Sequence, residues 1–492
     1  MERLTFNVGS SRTGPLVVSG RRTPRASQPA PAAARVAQLK QRIAMVRERY
    51  DWDYLWMLAF TALLFFRPQD HLAALESLHL AELTAIAGLA AMAVRRLRAG
   101  QTIAKVNAEV IGVIMLGAVI VLTIPFSIWP GGSLKVFSDI YVKIILIFAL
   151  MMSTITSPRR LRQMTWIMII ASGYIAGRGV FDYLRGVNLV EGDRLRGAVG
   201  GMFENPNDLA LNLVTFLAPT LFIIIQDKKM SRRLFALLLA ALMLAATVAT
   251  KSRSGFLGLI AMGMVVVYYT ARVKPGVVLA VLVAGLLAIP AMPPSFWSRM
   301  DSIMNAEEDA TGSRAARMRL LNQGVEVFAD NPLTGIGAGQ FQNYAGPGVV
   351  EKWRVTHNVW LQVASELGMF GVMAFLFLVI RAYMANVRAL RMLRTPRKKS
   401  TAAPLAQKAR GHLTMTASEL VILDTNARGM IAALVGWTVC AFFASVAFNW
   451  TFYYVLALSV AGREIVASRR TVPADEPEAN TVPAARLMRA HA

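Results

Sequence analysis

Apolar residues in this chain gather into long blocks separated by short polar stretches. Most blocks approach the roughly 20 residues that an α-helix needs to cross a hydrocarbon core of about 30 Å. Inside such a core every backbone N–H and C=O must be satisfied within the chain, so each block is predicted to be a helix. Twelve segments qualify: residues 54–66, 78–94, 108–129, 136–156, 164–183, 208–226, 234–250, 255–270, 276–292, 358–383, 430–448 and 451–466. The first is short and reads as a tilted or partly interfacial helix. The last two are separated only by a tight turn at Asn449 and Trp450. The predicted fold class is therefore all-α: a polytopic membrane protein of about twelve transmembrane helices.

Composition and charge sharpen this picture. The 492 residues are 55% hydrophobic and only 17% charged, against about 25% charged in soluble domains. A net charge of +24 raises the question of nucleic acid, and the placement of the charge answers it. With the N-terminus in the cytoplasm and the spans alternating, 38 of the 53 Lys and Arg residues fall in cytoplasmic segments and 14 on the opposite face, with Lys143 inside a span. That is the positive-inside pattern, with both termini cytoplasmic, and no nucleic-acid partner is expected. The basic stretch 394–411 reads as an orientation signal touching anionic membrane lipid. The single cysteine, Cys440, lies in an apolar block, which excludes an intramolecular disulfide. Residues 1–50 are basic and rich in Pro, Ala and Ser without an early apolar run, so a disordered tail is expected rather than a cleavable signal. The organisation expected is a tail at 1–50, helices 1–9 over 51–292, an outer loop at 293–357, and helices 10–12 over 358–466 with a cytoplasmic linker at 384–429. A second tail occupies 467–492.

Two outer segments are large enough to hold a site. Residues 184–207 contain Arg194, Arg196 and the run Phe203-Glu204-Asn205-Pro206-Asn207-Asp208. Asn207 or Asp208 is placed to cap the next helix, and a helix start beside arginines suits an anion. The loop 293–357 is far longer than an ordinary connection, and such loops are usually functional. Arg314, Arg317, Leu320, Leu321, Gly324, Val325 and Phe328 give it a helix-like spacing. A glycine-rich strip, Asn331-Pro332-Leu333-Thr334-Gly335-Ile336-Gly337, comes next, and the loop closes at Thr356-His357-Asn358. Between these segments, Lys251-Ser252-Arg253-Ser254-Gly255 puts two cations at an outer boundary, where the positive-inside rule disfavours them.

The three stretches reach the same face of the membrane. They combine guanidinium groups, which pair bidentately with phosphate oxygens, with one group that titrates near neutral pH, His357. Many phosphate ligands and one base imply group transfer from a phosphorylated donor. No nucleotide loop, Cys/His cluster or acidic cluster points to ATP or a metal, so no cofactor is expected.

At these residues the chain resembles the O-antigen ligase and polymerase superfamily. The matching features are Phe203-Glu204-Asn205-Pro206-Asn207 with Leu209-Ala210, Ser252-Arg253-Ser254-Gly255, the strip 331–337, His357-Asn358, and Glu366-Leu367-Gly368 with Gly371 beyond it. The resemblance implies a GT-C-like fold with a helical periplasmic loop, in the inner membrane of a bacterium. It implies a metal- and ATP-independent, inverting glycosyltransferase. That enzyme would move a glycan from an undecaprenyl-diphosphate carrier to a lipid, glycan or protein acceptor during surface polysaccharide assembly, alongside other assembly proteins. By the same resemblance His357 is the base, and Arg194 or Arg196, Arg253 and a loop arginine, Arg314 first with Arg317 and Arg319 behind it, bind the diphosphate. Asn205, Asn207 and Asn358 support them. Ligase and polymerase share this chemistry. A transporter or flippase of lipid-linked saccharide also suits arginines at a membrane face, but transporters usually show inverted repeats and broken helices near the midplane, and the sequence shows neither. A bare membrane scaffold leaves the outer arginines unexplained.

Overall fold

The computed structural model describes residues 51–271 except 71–74, 76–77, 191–192 and 198–202, then 274–276, 279 and 297, and residues 313–344, 355–394 and 415–469. The predicted span 276–292 apart from residues 276 and 279, the tail 1–50, Glu351, the linker core 395–414 and the end 470–492 lie outside the described residues. The helices belong to one compact unit, Trp52–Ala492.

Among the described residues that unit is all-α apart from one two-stranded hairpin. In chain order the helices are α1 Trp52–Phe66, α2 Leu80–Arg98, α3 Ala108–Thr123, α4 Pro130–Val136, α5 Val142–Thr154, α6 Pro158–Leu184, α7 Pro206–Gln226, α8 Met230–Ala249, α9 Arg253–Thr270, α10 Ser313–Asp330, α11 Val359–Arg394, α12 Ala417–Ala441 and α13 Trp450–Ser468. Strands β1 Leu189–Val190 and β2 Arg194–Leu195 pair antiparallel between α6 and α7. Among the described residues eight helical stretches are long and apolar enough to cross a membrane, with α4 and α5 counted as one through a π-turn at Phe137–Tyr141.

Burial explains the layering. Helix α7 is apolar on all sides, and 78% of its spanning window is buried. Every residue of α13 from Thr451 to Gly462 is buried. These two helices form the centre: α7 packs against α8, α9 and α12, and α13 against α11 and α12. Helices α8 and α9 are only 39% and 28% buried. They expose Leu234, Leu237, Leu238, Met264 and Tyr268, which suits a lipid-facing surface, where apolar exposure carries no penalty.

Two boundaries differ from the sequence expectation. Helix α11 continues to Arg394 and α12 begins at Ala417, so part of the expected linker 384–429 is helix. The extensions are amphipathic, burying Ala385, Ala389 and Leu390 on one side and Leu423 and Ala427 on the other. Hydropathy alone stops where charge begins, but the helical period continues. Thr416 starts α12 with a capping box, its hydroxyl accepting from Glu419 N while Glu419 returns to the Thr416 backbone. This satisfies two otherwise orphaned donors.

One end of the bundle is tied by buried ion pairs. Glu109, fully buried at the start of α3, accepts from Arg463 Nη1 at 2.7 Å and Nη2 at 3.0 Å, and from Arg381 Nε at 2.6 Å. It thereby joins α3, α11 and α13. Asp53 accepts from Arg95 Nε at 2.7 Å, which links α1 to α2. Lys105 pairs with Glu464 at 3.1 Å. Arg160 donates to the Thr154 carbonyl at 2.8 Å and lies over the Tyr54 ring.

Candidate functional site at the opposite end of the bundle

At the other end, helices α7, α9, α11 and α13 all begin. Each start carries a side-chain cap: Asn205 Oδ1 accepts from Asn207 N at 2.8 Å, Ser252 Oγ from Gly255 N at 3.2 Å, Asn358 Oδ1 from Trp360 N at 2.9 Å, and Asn449 Oδ1 from Thr451 N at 3.0 Å. The cap of α7 is Asn205 rather than the expected Asn207 or Asp208. Pro206 takes the first helical position, where its missing N–H costs nothing, and this moves the cap back toward the loop. Each of these helix starts presents a positive dipole end, an effect confined to its own first turn, while α3, α6, α8 and α12 end on the same side.

The arginine-bearing hairpin is locked onto this surface. Arg194 is buried in β2; its Nε donates to Thr250 O at 3.1 Å and its Nη2 to Asn207 Oδ1 at 3.1 Å. Asn207 Oδ1 also accepts from Ser252 Oγ at 2.7 Å, and Ser252 and Ser254 share a hydrogen bond at 3.0 Å. One amide side chain thus joins Arg194 to the turn that carries Arg253. Arg196 is different: its backbone N closes the hairpin onto Asn188 O at 3.0 Å, while its side chain is exposed. Arg253 is half-buried as the first residue of α9. Lys251 is buried and pairs with Asp193.

His357 sits directly before Asn358, at φ 50°. A non-glycine residue in the left-handed region costs roughly 1–3 kcal/mol and persists only where its surroundings over-determine it. Ser445 supplies the constraint: its hydroxyl accepts the His357 N–H at 2.9 Å and shares a 2.9 Å bond with Thr356 Oγ1. Ser445 lies in the turn between α12 and α13. Just before that turn, in the last residues of α12, Cys440 Sγ donates to Ser254 O at 3.3 Å. The end of α12 and the turn beyond it therefore hold both the Arg253 and the His357 segments.

The glycine strip is seated on α11 at a break. Gly368 has φ 65° and ψ −164° inside the helix, which frees backbone groups on either side. Ile336 N donates to Ser365 O at 2.9 Å, Gly337 N to Glu366 O at 2.9 Å, and Met369 N to Pro332 O at 2.8 Å. The two segments approach too closely for side chains: a Cβ on Gly335 would lie 2.3 Å from Glu366 C, and one on Gly368 2.3 Å from Leu333 O. Buried Glu366 completes the seat, accepting Gly339 N on Oε2 at 2.8 Å.

Helix α10 leads into this strip. It buries Leu320, Gly324 and Val327, and a Cβ on Gly324 would meet Leu361 of α11 at 2.6 Å. The expected face included Val325, which is exposed; the buried stripe is rotated so that Val327 packs with Leu320, Ile336 and Phe341. Arg317 is half-buried and Arg319 exposed. Arg314 lies in the first turn of α10, and its side chain is outside the described residues.

Sequence reasoning missed Ser445, the Lys251–Asp193 pair and the clamp role of Glu366. Ser445 had no signal, being one small polar residue between apolar spans. The alternation Gly335, Gly337, Gly339 did carry one, since repeated glycine permits close backbone approach.

Fold and site together define a polytopic helical membrane protein whose polar chemistry is concentrated at one end. Residues 214–376, about a third of the chain, match the family model of the O-antigen ligases. That stretch is therefore similar to an O-antigen ligase domain, in line with the resemblance carried by the sequence motifs. The matched stretch runs from α7 to α11 and takes in the Arg253 turn, α10, the glycine strip and His357; Arg194 and Asn207 precede it. No curated protein matches.

Proposed function

We propose that the protein is an O-antigen ligase-like glycosyltransferase of the bacterial inner membrane, acting on the periplasmic side. It takes a glycan from an undecaprenyl-diphosphate carrier and attaches it to a lipid, glycan or protein acceptor. The observation that carries this reading is the gathering of three helix starts, with Arg194, Arg253 and His357, around the end of α12 and its turn into α13. The side is supported by charge: the ion-paired end holds the Lys- and Arg-rich connections, which the positive-inside rule assigns to the cytoplasm.

In this reading Arg253 and Arg194 bind the donor diphosphate, with the α7 and α9 starts behind them. Arg194 is preferred to Arg196 because it is buried and aimed by Asn207, whereas Arg196 points to solvent. Arg314, in the first turn of α10, is the loop arginine assigned to the same role. Asn205, Asn207 and Asn358 hold the backbone that carries these groups. His357 takes the proton from the acceptor hydroxyl as its oxygen bonds to the anomeric carbon. The bond from that carbon to the diphosphate breaks on the opposite face, which inverts the configuration. The undecaprenyl diphosphate leaves with its charge neutralised by arginine. No metal takes part.

The test is glycan analysis of cells carrying His357→Ala, paired with turnover of purified protein on lipid-linked donor with and without EDTA. Unattached full-length chains identify a ligase, and loss of chain length identifies a polymerase. Unaltered envelope glycans would sink the reading, as would loss of donor transport across the membrane with transfer intact. EDTA-sensitive turnover contradicts the metal-free step alone.

A further inference from the structure

We propose that Lys251 is an additional diphosphate-binding side chain, and that the Asp193 carboxylate competes with the donor's phosphate oxygens for it. The inference rests on the reading of this end of the bundle as a diphosphate site.

Position is the first argument. Lys251 lies two residues before Arg253 and directly after Thr250, whose carbonyl orients Arg194. Its backbone therefore belongs to the same short turn that Arg253 occupies and Arg194 contacts, and its ammonium meets Asp193, the residue before Arg194.

Backbone and burial supply the second. Lys251 adopts φ 48°, a left-handed conformation that a lysine rarely takes. Its side chain is 2% exposed, and lysine is almost never so buried unless paired. The chain accepts strain and desolvation to hold an ammonium at this spot. A lysine that only snorkelled would instead carry its charge out to water.

The partner is the third. Asp193 is 50% exposed and sits in the turn of the small hairpin, next to β2, rather than on a helix. Carboxylate and phosphoryl oxygens are the same kind of acceptor for an ammonium. A diphosphate brings more charge and more oxygens, and lysine binds phosphate as a point charge without a fixed fork geometry. The half-exposed Asp193 side chain can rotate toward solvent while buried Lys251 stays in place.

The rival role is that the pair merely fastens the hairpin to the α8–α9 junction. The two roles differ in sign. If Asp193 competes with the donor, Asp193→Asn tightens donor binding; if it fastens, the same change weakens it.

The experiment measures binding of undecaprenyl diphosphate to full-length protein in detergent, with undecaprenol as the uncharged control. Wild type should prefer the diphosphate. Asp193→Asn should tighten Kd for undecaprenyl diphosphate by roughly 3–10-fold, and Lys251→Met should weaken it by about tenfold or more. In the Lys251→Met background Asp193→Asn should have no further effect, because the carboxylate acts only through the ammonium. Lys251→Arg should retain most of the affinity, and it carries the test with Asp193→Asn if Lys251→Met does not fold. Unchanged or weaker binding by Asp193→Asn, with wild type still preferring the diphosphate, would overturn the proposal and leave the site reading standing. No preference in wild type would remove both.

Discussion

The two ends of this helix bundle are held differently, although cation–carboxylate pairs occur at both, Lys251–Asp193 and Arg178–Asp182 lying at the second. At one end arginines and lysines meet carboxylates across helices: Arg381 and Arg463 on Glu109, Arg95 on Asp53, Lys105 on Glu464. At the other, Arg194 is oriented by a carbonyl and an amide oxygen, and its neighbours are helix starts, hydroxyls and bent loops. Backbone strain divides the same way. The non-glycine residues with positive φ among the described residues are Arg67, His79, Asn188, Lys251 and His357, and all of them lie in connections at the second end. The first end is thus built for cohesion and the second for holding groups in costly positions, which is how strain is distributed around functional sites.

Mutation can probe this division, and the largest effect should come from the cohesive end. Glu109→Leu leaves two half-buried guanidinium groups without their shared, fully buried carboxylate, a loss that reaches about 3–5 kcal/mol for a fully buried pair and should approach that range here. Membrane abundance should collapse and activity should disappear with it. Normal abundance would mean that the cluster is dispensable and the contrast between the ends is false.

Next in size is the seat of the glycine strip. Gly335→Ala adds a Cβ against the Glu366 backbone at a residue with φ 63°, so strain and overpacking together should cost about 2–5 kcal/mol. Limited proteolysis between residues 331 and 344 should speed up while the helices stay protected. Unchanged protection would show that the strip is not wedged into the α11 break. Glu366→Gln is milder, because an amide oxygen still accepts from Gly339 N. It should cost about 1–2 kcal/mol, read as faster amide exchange at Gly339.

Arg253→Lys probes the other end, where stability and activity should part company. Charge is kept, so abundance should be normal, yet the planar two-donor contact is lost. Turnover should fall about tenfold or more, the equivalent of at least about 1.4 kcal/mol. Full activity would assign Arg253 to the bilayer boundary and take it out of the site.

Much of the fold was legible because bilayer physics is strict. Apolar blocks such as 206–226 and 108–123 became helices near the expected places, since no other backbone arrangement of a single span survives in lipid. Boundaries failed where the helical period outran the apolar block, as at Ala385–Leu390 in α11. The site was legible in part. Arg253 stood out as a cation on the disfavoured side of a charge rule, His357 by closing the long loop, and Arg194, together with Arg196, by lying near a helix start. Ser445, Asp193 and the Gly335–Gly368 contact were not legible, because each depends on which distant segment comes to lie opposite. Spacing within one segment carries no such information.

Whether His357 is the base of a transfer from a lipid-linked diphosphate is decided by turnover of purified His357→Ala on undecaprenyl-diphosphate-linked glycan. A positioned base contributes about 10²–10⁴-fold, so turnover should drop by that factor while undecaprenyl diphosphate still binds. Wild-type turnover should itself decline in acid, because a protonated imidazole cannot take the acceptor's proton. Near-normal turnover of His357→Ala would show that another group, or none, takes the acceptor's proton.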